Sequence, residues 1–185
     1  MADQGTEGLL SPFLRTRRLA VVRKYLTGAI LDFGCGSGAL AEFVQPGSYV
    51  GVDRDEVSLQ LAGELHPEHT FYPELPDEAF KFDTIVALAV IEHLKDPIAF
   101  LQSLALRLHT AESRIIVTTP HPKIDFIHTI GARAGLFSKH GNEEHEILFD
   151  KKSLGEIAQK AGLEVAVYRR FLFGANQLFI LRVYP

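Results

Sequence analysis

The feature that most constrains the fold of this chain is an alternation of short β-branched runs with segments of helix length. The runs lie at residues 29–33, 49–53, 82–88 and 114–119. Such alternation is typical of βαβ units, in which crossovers join parallel strands. Residues 84–88 and 115–117 are apolar at consecutive positions, as expected for strands that helices cover on both faces. The sequence therefore predicts an α/β fold with a doubly wound, mostly parallel sheet.

Capping residues mark two of the helices between and after these runs. Asp96 supplies an N-cap before Pro97, and Asp150 precedes a helical pattern that stops at Gly162. Residues 69–72 form a weaker run, which predicts an edge strand. These boundaries agree with the βαβ interpretation.

The end of the chain breaks the alternation. Two strand-like runs, 163–172 and 177–184, are separated by Gly174-Ala175-Asn176. This link is too short for a parallel crossover, so we expect an antiparallel hairpin.

Residues 120–149 are the one long stretch without clear periodicity. A loop of this length in a compact domain usually serves as a lid or binding segment, or is disordered. We expect it to fold over the site and to shape an acceptor pocket.

With 185 residues and 46% hydrophobic composition, we expect residues 1–185 to form a single domain, with an N-terminal helix within 1–28 and the lid at 120–149.

Charge and composition disfavour several classes of partner. The formal net charge of −4 disfavours nucleic acid, which usually binds a basic face. The basic cluster Arg15, Arg17, Arg18, Arg23 and Lys24 is interpreted as the solvated face of the N-terminal helix. The first dozen residues do not resemble a secretory signal, no apolar stretch reaches membrane-spanning length, and Cys35 is a single cysteine. We therefore expect a cytoplasmic protein without a membrane partner, and its oligomeric state stays open.

A glycine-rich turn follows the first strand, at Gly34-Cys35-Gly36-Ser37-Gly38, and we expect a helix after it. The spacing Gly-x-Gly-x-Gly differs from that of a dinucleotide site, which must receive a pyrophosphate. The carboxylate of Asp32, just before the turn, would repel a pyrophosphate but attract an ammonium group, directly or through water. Asp53 closes the next strand, where a carboxylate can accept hydrogen bonds from both ribose hydroxyls. A ribose without pyrophosphate, joined to an amino acid, describes S-adenosylmethionine.

With these features the sequence resembles the class I S-adenosylmethionine-dependent methyltransferases, particularly their small-molecule branch. Residues 30–40 match the family's first motif, Asp53 its second-strand acid, and residues 82–94 its fourth-strand motif. The resemblance implies a Rossmann-like sheet of seven strands whose last strand is antiparallel, and a fourth-strand end that passes under the methionine moiety. The predicted cofactor-binding residues are Asp32, Gly34, Cys35, Gly36, Gly38, Asp53, Arg54, Ala87, Leu88 and Ala89.

The chain departs from the family at the residue that holds the adenine amino group. The family commonly has an acidic residue after its third strand, where this chain has Phe71. The candidate substitutes are Tyr72, Glu74 and backbone amides.

Two histidines are candidates for catalysis on a small or medium-sized acceptor. Methyl transfer to a hydroxyl or amine requires removal of a proton, and imidazole titrates near neutral pH. His93 follows the fourth strand and His121 the fifth, on the side where open α/β sheets bind ligands. His93 could instead only fix the loop through hydrogen bonds with Glu92. We interpret His66, His69 and His109 as surface residues.

Two alternatives to simple methyl transfer remain open. Some relatives in the family use a Glu-x-x-Glu-His pattern to bind a divalent metal, which here would leave Glu92, His93 and His145 as ligands. Because Ala89 occupies the position of the first glutamate, we predict no metal. The other alternative is a partner subunit that binds the cofactor without catalysis, since fold does not fix function.

Overall fold

The computed structural model describes residues 11–122 and 147–184, and these residues contain a seven-stranded sheet. The strands are β1 (Ile30–Phe33), β2 (Tyr49–Val52), β3 (Thr70–Tyr72), β4 (Thr84–Leu88), β5 (Arg114–Pro120), β6 (Leu163–Phe171) and β7 (Asn176–Val183). They lie in the order β3-β2-β1-β4-β5-β7-β6. Strands β1 to β5 pair in parallel, while β7 runs antiparallel to both β5 and β6. The predicted mostly parallel sheet, its edge strand β3 and its antiparallel last strand are confirmed.

Two of the described helices lie in the β2–β3 and β4–β5 crossovers, one precedes β1 and one lies between β5 and β6. They are α1 (Ser11–Val22), α2 (Glu56–Leu65), α3 (Pro97–Ala105) and α4 (Lys151–Lys160). The predicted caps are present, since Asp96 accepts a hydrogen bond from the Ala99 N–H and Asp150 accepts one from the Ser153 N–H. Short 3₁₀ helices follow α1, the glycine turn and β4, at Arg23–Tyr25, Ala41–Phe43 and Ile91–His93.

The helix predicted after the glycine turn is wrong. Only turns and the 3₁₀ helix Ala41–Phe43 connect that turn to β2. Gly36 and Gly38 have φ angles of 52° and 77°, in the left-handed region. Backbone in this region cannot continue a right-handed helix, so no helix can run through Gly36 and Gly38.

Apolar side chains fill both faces of the sheet. Leu31, Ile85 and Ile115 belong to one core cluster, and the adjacent residues Ile30, Val86 and Ile116 belong to the other. Because successive strand residues point to opposite faces, each continuous apolar run supplies both clusters. Burial of each large side chain contributes roughly 1.5–3 kcal/mol.

The topology brings three loops together at one edge of the sheet. Strands β1, β2 and β4 are parallel neighbours, so the turns after Phe33, Val52 and Leu88 meet at their carboxyl ends. The predicted lid at 120–149 lies outside the described residues for most of its length, as do His128, His140 and His145. None of the helices in the described ranges combines the length and apolarity needed to cross a membrane.

Candidate functional site

The glycine turn at the end of β1 is tied to β2 by its backbone. The N–H groups of Gly34 and Cys35 both donate to the carbonyl of Val52, at 2.8 and 3.1 Å. A Cβ atom on Gly34 would lie 2.7 Å from Cγ2 of Val90, so packing requires glycine there. At Gly36, in contrast, a Cβ atom would meet no atom within 4 Å. The second glycine of the motif therefore borders open space, which suits close approach of a ligand to the backbone.

Asp53 connects the end of β2 to the same turn. One carboxylate oxygen accepts the Gly36 N–H at 2.8 Å, and the other accepts the Asp55 N–H at 3.0 Å. Each carboxylate oxygen has a second lone-pair direction, so Asp53 keeps the capacity to accept hydrogen bonds from ligand hydroxyls. The sequence placed Asp53 near the turn, but the backbone bond to Gly36 depends on the tertiary fold.

A cavity of about 1370 Å³ opens at this edge of the sheet. Five predicted site residues line it: Gly34, Asp53, Arg54, Ala89 and His93. Its other lining residues are Phe33, Val52, Pro73, Glu74, Leu75, Val90, Leu94, Lys95, Phe100 and Ile147. The wall is thus mostly apolar with a few polar groups, which is the usual character of a small-molecule site.

The remaining predicted cofactor residues do not line the cavity. These residues are Asp32, Cys35, Gly36, Gly38, Ala87 and Leu88. The side chain of Cys35 is buried in the core, and burial raises the pKa of its thiol. A role for Cys35 in ligand binding would therefore use its backbone.

The carboxyl group of Asp32 is buried and accepts a hydrogen bond from the Tyr49 hydroxyl at 2.7 Å. Burial raises the pKa of Asp32 to about 7. The Tyr49 hydrogen bond acts to lower this pKa, and the negative charge of Asp53 acts to raise it.

His69, predicted to be a surface residue, is instead buried, with its ring centroid 5.3 Å from that of Tyr49. This correction arises because β2 and β3 pair, which the sequence shows only weakly.

Ala89 adopts a φ of 56°, which is unusual for a residue other than glycine. Its N–H donates to the carbonyl of Thr118 at 2.9 Å, and this bond joins the ends of β4 and β5. Left-handed backbone costs about 1–2 kcal/mol for a residue with a Cβ atom. Such strain is found disproportionately at functional sites. Sequence inspection gave no sign of it.

The residues that follow β4 have contrasting surroundings. His93 is exposed and lines the cavity, whereas only 1% of Glu92 is exposed. Burial raises the pKa of Glu92, while its own backbone and the charges of His93 and Arg18 act in the opposite direction. Oε2 of Glu92 has no hydrogen-bond partner among the described residues.

Arg18 was predicted to lie on the solvated face of α1, and this is wrong. Its side chain is partly buried, its Nε donates to Oδ1 of Asn176 at 3.4 Å, and burial lowers its pKa. The charge of Glu92 partly offsets that effect. Because α1 packs against β7 only in the folded protein, helical periodicity alone could not identify this residue.

His121, the second candidate for catalysis, is 9% exposed, and its backbone N–H donates to the carbonyl of Ala175 at 2.9 Å.

The candidate metal ligand His145 lies outside the described residues, so the structure describes only Glu92 and His93 of the candidate metal ligands. Within residues 11–122 and 147–184, no group of three histidine, cysteine or acidic side chains is arranged to hold a metal.

Phe71, which occupies the position of the family's adenine-binding acid, serves the packing of the sheet. A Cβ atom on Gly51 would lie 2.6 Å from Cδ1 of Phe71, so this ring covers the glycine. Of the two side chains suggested as substitutes, Glu74 lines the cavity, and Tyr72 is not part of its wall.

A family model described as a methyltransferase domain matches residues 11–167. The ubiquinone biosynthesis O-methyltransferase of Ruegeria pomeroyi is 27% identical over 170 residues, which cover 85% of this chain and 68% of that protein. The enzyme of the same name from Dinoroseobacter shibae is 30% identical over 148 residues, which cover 73% of this chain and 59% of that protein. The chain thus spans about three fifths to two thirds of the length of these relatives.

Solved structures show the same fold at low sequence identity. The magnesium protoporphyrin IX methyltransferase of Synechocystis, with bound SAH, superposes with a TM-score of 0.71 at 19% identity over 98% of this chain and 90% of that chain. A small RNA methyltransferase superposes with a TM-score of 0.72 at 22% identity, and the match covers 100% of this chain and 27% of that chain.

Proposed function

This chain belongs to the class I S-adenosylmethionine-dependent methyltransferases, and on that premise we propose that it transfers the cofactor's methyl group to an oxygen of a small acceptor. The family, the Rossmann-like fold and the cofactor predicted from the sequence are confirmed. The choice of oxygen follows the name of the relatives, O-methyltransferase, and the identity of the acceptor stays open.

One observation carries the proposal: the 1370 Å³ cavity adjoins the glycine turn at Gly34 and also has Asp53, Ala89 and His93 in its wall. The open space at Gly36 and the acceptor capacity of Asp53 fit a nucleoside held by backbone and carboxylate. This volume exceeds the usual range for a single ligand site, about 300–1,000 Å³, so the cavity can hold a cofactor and an acceptor side by side. When bound, the cofactor supplies an electrophilic methyl group.

The residues of the chain then have to align the acceptor, exclude water and remove a proton from a hydroxyl. His93 is the better placed of the two histidines, because it is exposed on the cavity wall, whereas His121 is buried at the end of β5. We assign His93 the role of proton acceptor from the substrate hydroxyl. His121 does not line the cavity, so it stays the second candidate, to be tested by mutation.

The metal-assisted alternative with Glu92, His93 and His145 receives less support. Glu92 is buried near Arg18, and the side chain of Ala89 offers no oxygen at the position of the missing glutamate. A guanidinium near Glu92 already supplies positive charge of the kind that a cation would supply.

The test is incubation of the purified chain with methyl-labelled S-adenosylmethionine and separate panels of phenols, other hydroxylated metabolites, amines and short RNAs. We expect label in a hydroxylated small molecule, and label confined to amines or RNA would overturn the assignment of the acceptor. Binding of the cofactor without turnover on any panel would favour the non-catalytic partner subunit.

A further inference from the structure

Tyr49 and Asp32 lie on neighbouring parallel strands and share one face of the sheet. Tyr49 pairs in register with Ile30, and Asp32 pairs with Gly51. Because residues two apart on a strand point to the same face, the tyrosine ring can extend along β2 toward the aspartate. Its hydroxyl donates to Oδ2 of Asp32 at 2.7 Å, and the exposed fractions are 1% for Tyr49 and 4% for Asp32.

The tyrosine ring is held by its neighbours. Its centroid lies 5.3 Å from that of His69 and 5.8 Å from that of Phe71, both from the β3 side. Gly51 has no side chain to obstruct the approach, and the space above it is occupied by Phe71 and Cys35. Packing therefore fixes the Tyr49 hydroxyl before any ligand arrives. Less side-chain entropy of Tyr49 and Asp32 is then lost when the Asp32 carboxylate binds a ligand.

The surroundings of Asp32 leave its negative charge poorly compensated. The titratable groups that act on it or pack near it are Tyr49, Asp53 and Cys35, and its partner on β4 is the apolar Val86. Among residues 11–122 and 147–184, Tyr49 supplies the one side-chain hydrogen bond that favours the ionised form of Asp32. A buried carboxylate with a single hydrogen bond is costly in isolation and gains most from a nearby cation.

We propose that Tyr49 is a positioning residue for the amino-acid moiety of the cofactor, acting through the Asp32 carboxylate that receives the ligand's ammonium group directly or through water. The inference rests on the proposed function, since it requires the cofactor to lie at the glycine turn. It adds a residue from the start of β2 to a site otherwise built at the carboxyl ends of the strands.

Two ligands separate this role from a structural one. S-adenosylhomocysteine carries the ammonium group, whereas 5′-methylthioadenosine has the same nucleoside without the amino acid. Tyr49→Phe should weaken S-adenosylhomocysteine binding about tenfold in calorimetric titration at pH 7, the usual effect of losing one hydrogen bond to a charged group. Its affinity for methylthioadenosine should be unchanged. Tyr168→Phe is the matched control, because Tyr168 also donates through its hydroxyl to a side chain, Gln177 on β7.

The pH dependence gives a second readout. Affinity of the wild type for S-adenosylhomocysteine should rise between pH 5.5 and 7.5, because the ammonium group prefers ionised Asp32. Tyr49→Phe removes a group that lowers the Asp32 pKa, so the rise should move to higher pH. In an Asp32→Asn background, Tyr49→Phe should have little further effect on this binding, since the two residues act together.

An equal loss for both ligands, or no loss for either, would overturn the role of Tyr49 while leaving the proposed function intact. Failure of the folded wild type to bind either ligand would instead overturn the proposed function. Should Tyr49→Phe not fold, the ratio of the two affinities in Asp32→Asn decides, because the proposal requires that variant to lose affinity for S-adenosylhomocysteine alone.

Discussion

Glu92 and His93 are adjacent in the chain, yet the Glu92 carboxylate is buried near Arg18 while His93 is exposed on the cavity wall. The sequence alone presents them as a pair with a shared role. The structure gives them different surroundings, and this difference separates the two catalytic mechanisms considered for this site.

We expect turnover to survive exhaustive chelation, once an acceptor is known. The methyl side chain of Ala89 cannot coordinate a metal, and a metal held by fewer hard ligands binds weakly. The measurement is the initial rate before and after chelation, with manganese or magnesium added back. The proposal is wrong if chelation stops turnover, added metal restores it, and His145→Ala raises the metal concentration required.

His93→Ala should lower kcat by about 10²–10⁴-fold, the usual contribution of a general base, while the affinity for S-adenosylhomocysteine stays close to that of the wild type. His121→Ala should lower turnover as well. His109→Ala is the matched control, because that histidine is exposed and its ring is bonded to Asp83. Equal rates for His93→Ala and His109→Ala would remove His93 from the mechanism.

Gly36→Val should abolish cofactor binding, because the side chain would fill the open space beside the glycine turn. Gly47→Val is a matched control, since Gly47 also has a positive φ and a Cβ atom there would meet no atom within 4 Å. Gly47 precedes β2, at the opposite edge of the sheet from the cavity. Calorimetric titration with S-adenosylhomocysteine compares the two variants, and equal loss in both would indicate backbone strain as the cause.

Ala89→Gly should leave the free energy of unfolding unchanged or raise it by up to about 1.5 kcal/mol. Relief of left-handed strain, about 1–2 kcal/mol, is offset by about 0.5–1 kcal/mol of backbone entropy gained by the unfolded chain. The control is Ala87→Gly, two residues earlier within β4, which should destabilise the protein. Urea denaturation of both variants measures the difference, and equal destabilisation would contradict the strain at Ala89.

Asp32→Asn should raise stability relative to the wild type, and by more at pH 8 than at pH 4. The folded-state pKa of Asp32, about 7, is above its ordinary value of 3.8, so folding opposes ionisation. The free energy of unfolding of the wild type therefore falls as pH rises from about 4 to 7, because the unfolded chain releases the Asp32 proton more readily than the folded protein does. Above that range the decrease caused by Asp32 is constant. The difference in unfolding free energy between the two proteins, measured in urea at several pH values, isolates this group. A difference independent of pH would refute the assigned pKa.

The sequence by itself determined the layers of the fold and the place of the cofactor turn. Consecutive apolar residues in β4 and β5 can be buried only by cover on both faces, and Asp96 and Asp150 satisfy helix N–H groups through local contacts. The glycines of the turn are likewise a local requirement of backbone geometry. These features depend on neighbours in the chain, so they can be recognised without a structure.

Tertiary structure alone decided which polar groups meet. The Tyr49–Asp32 hydrogen bond depends on the register of β1 against β2, and the burial of Arg18 depends on how α1 packs on β7. The left-handed φ of Ala89 is imposed where the ends of β4 and β5 are joined. Each of these contacts links residues far apart in sequence, and their energies arise from burial and exact distance, which residue spacing does not encode.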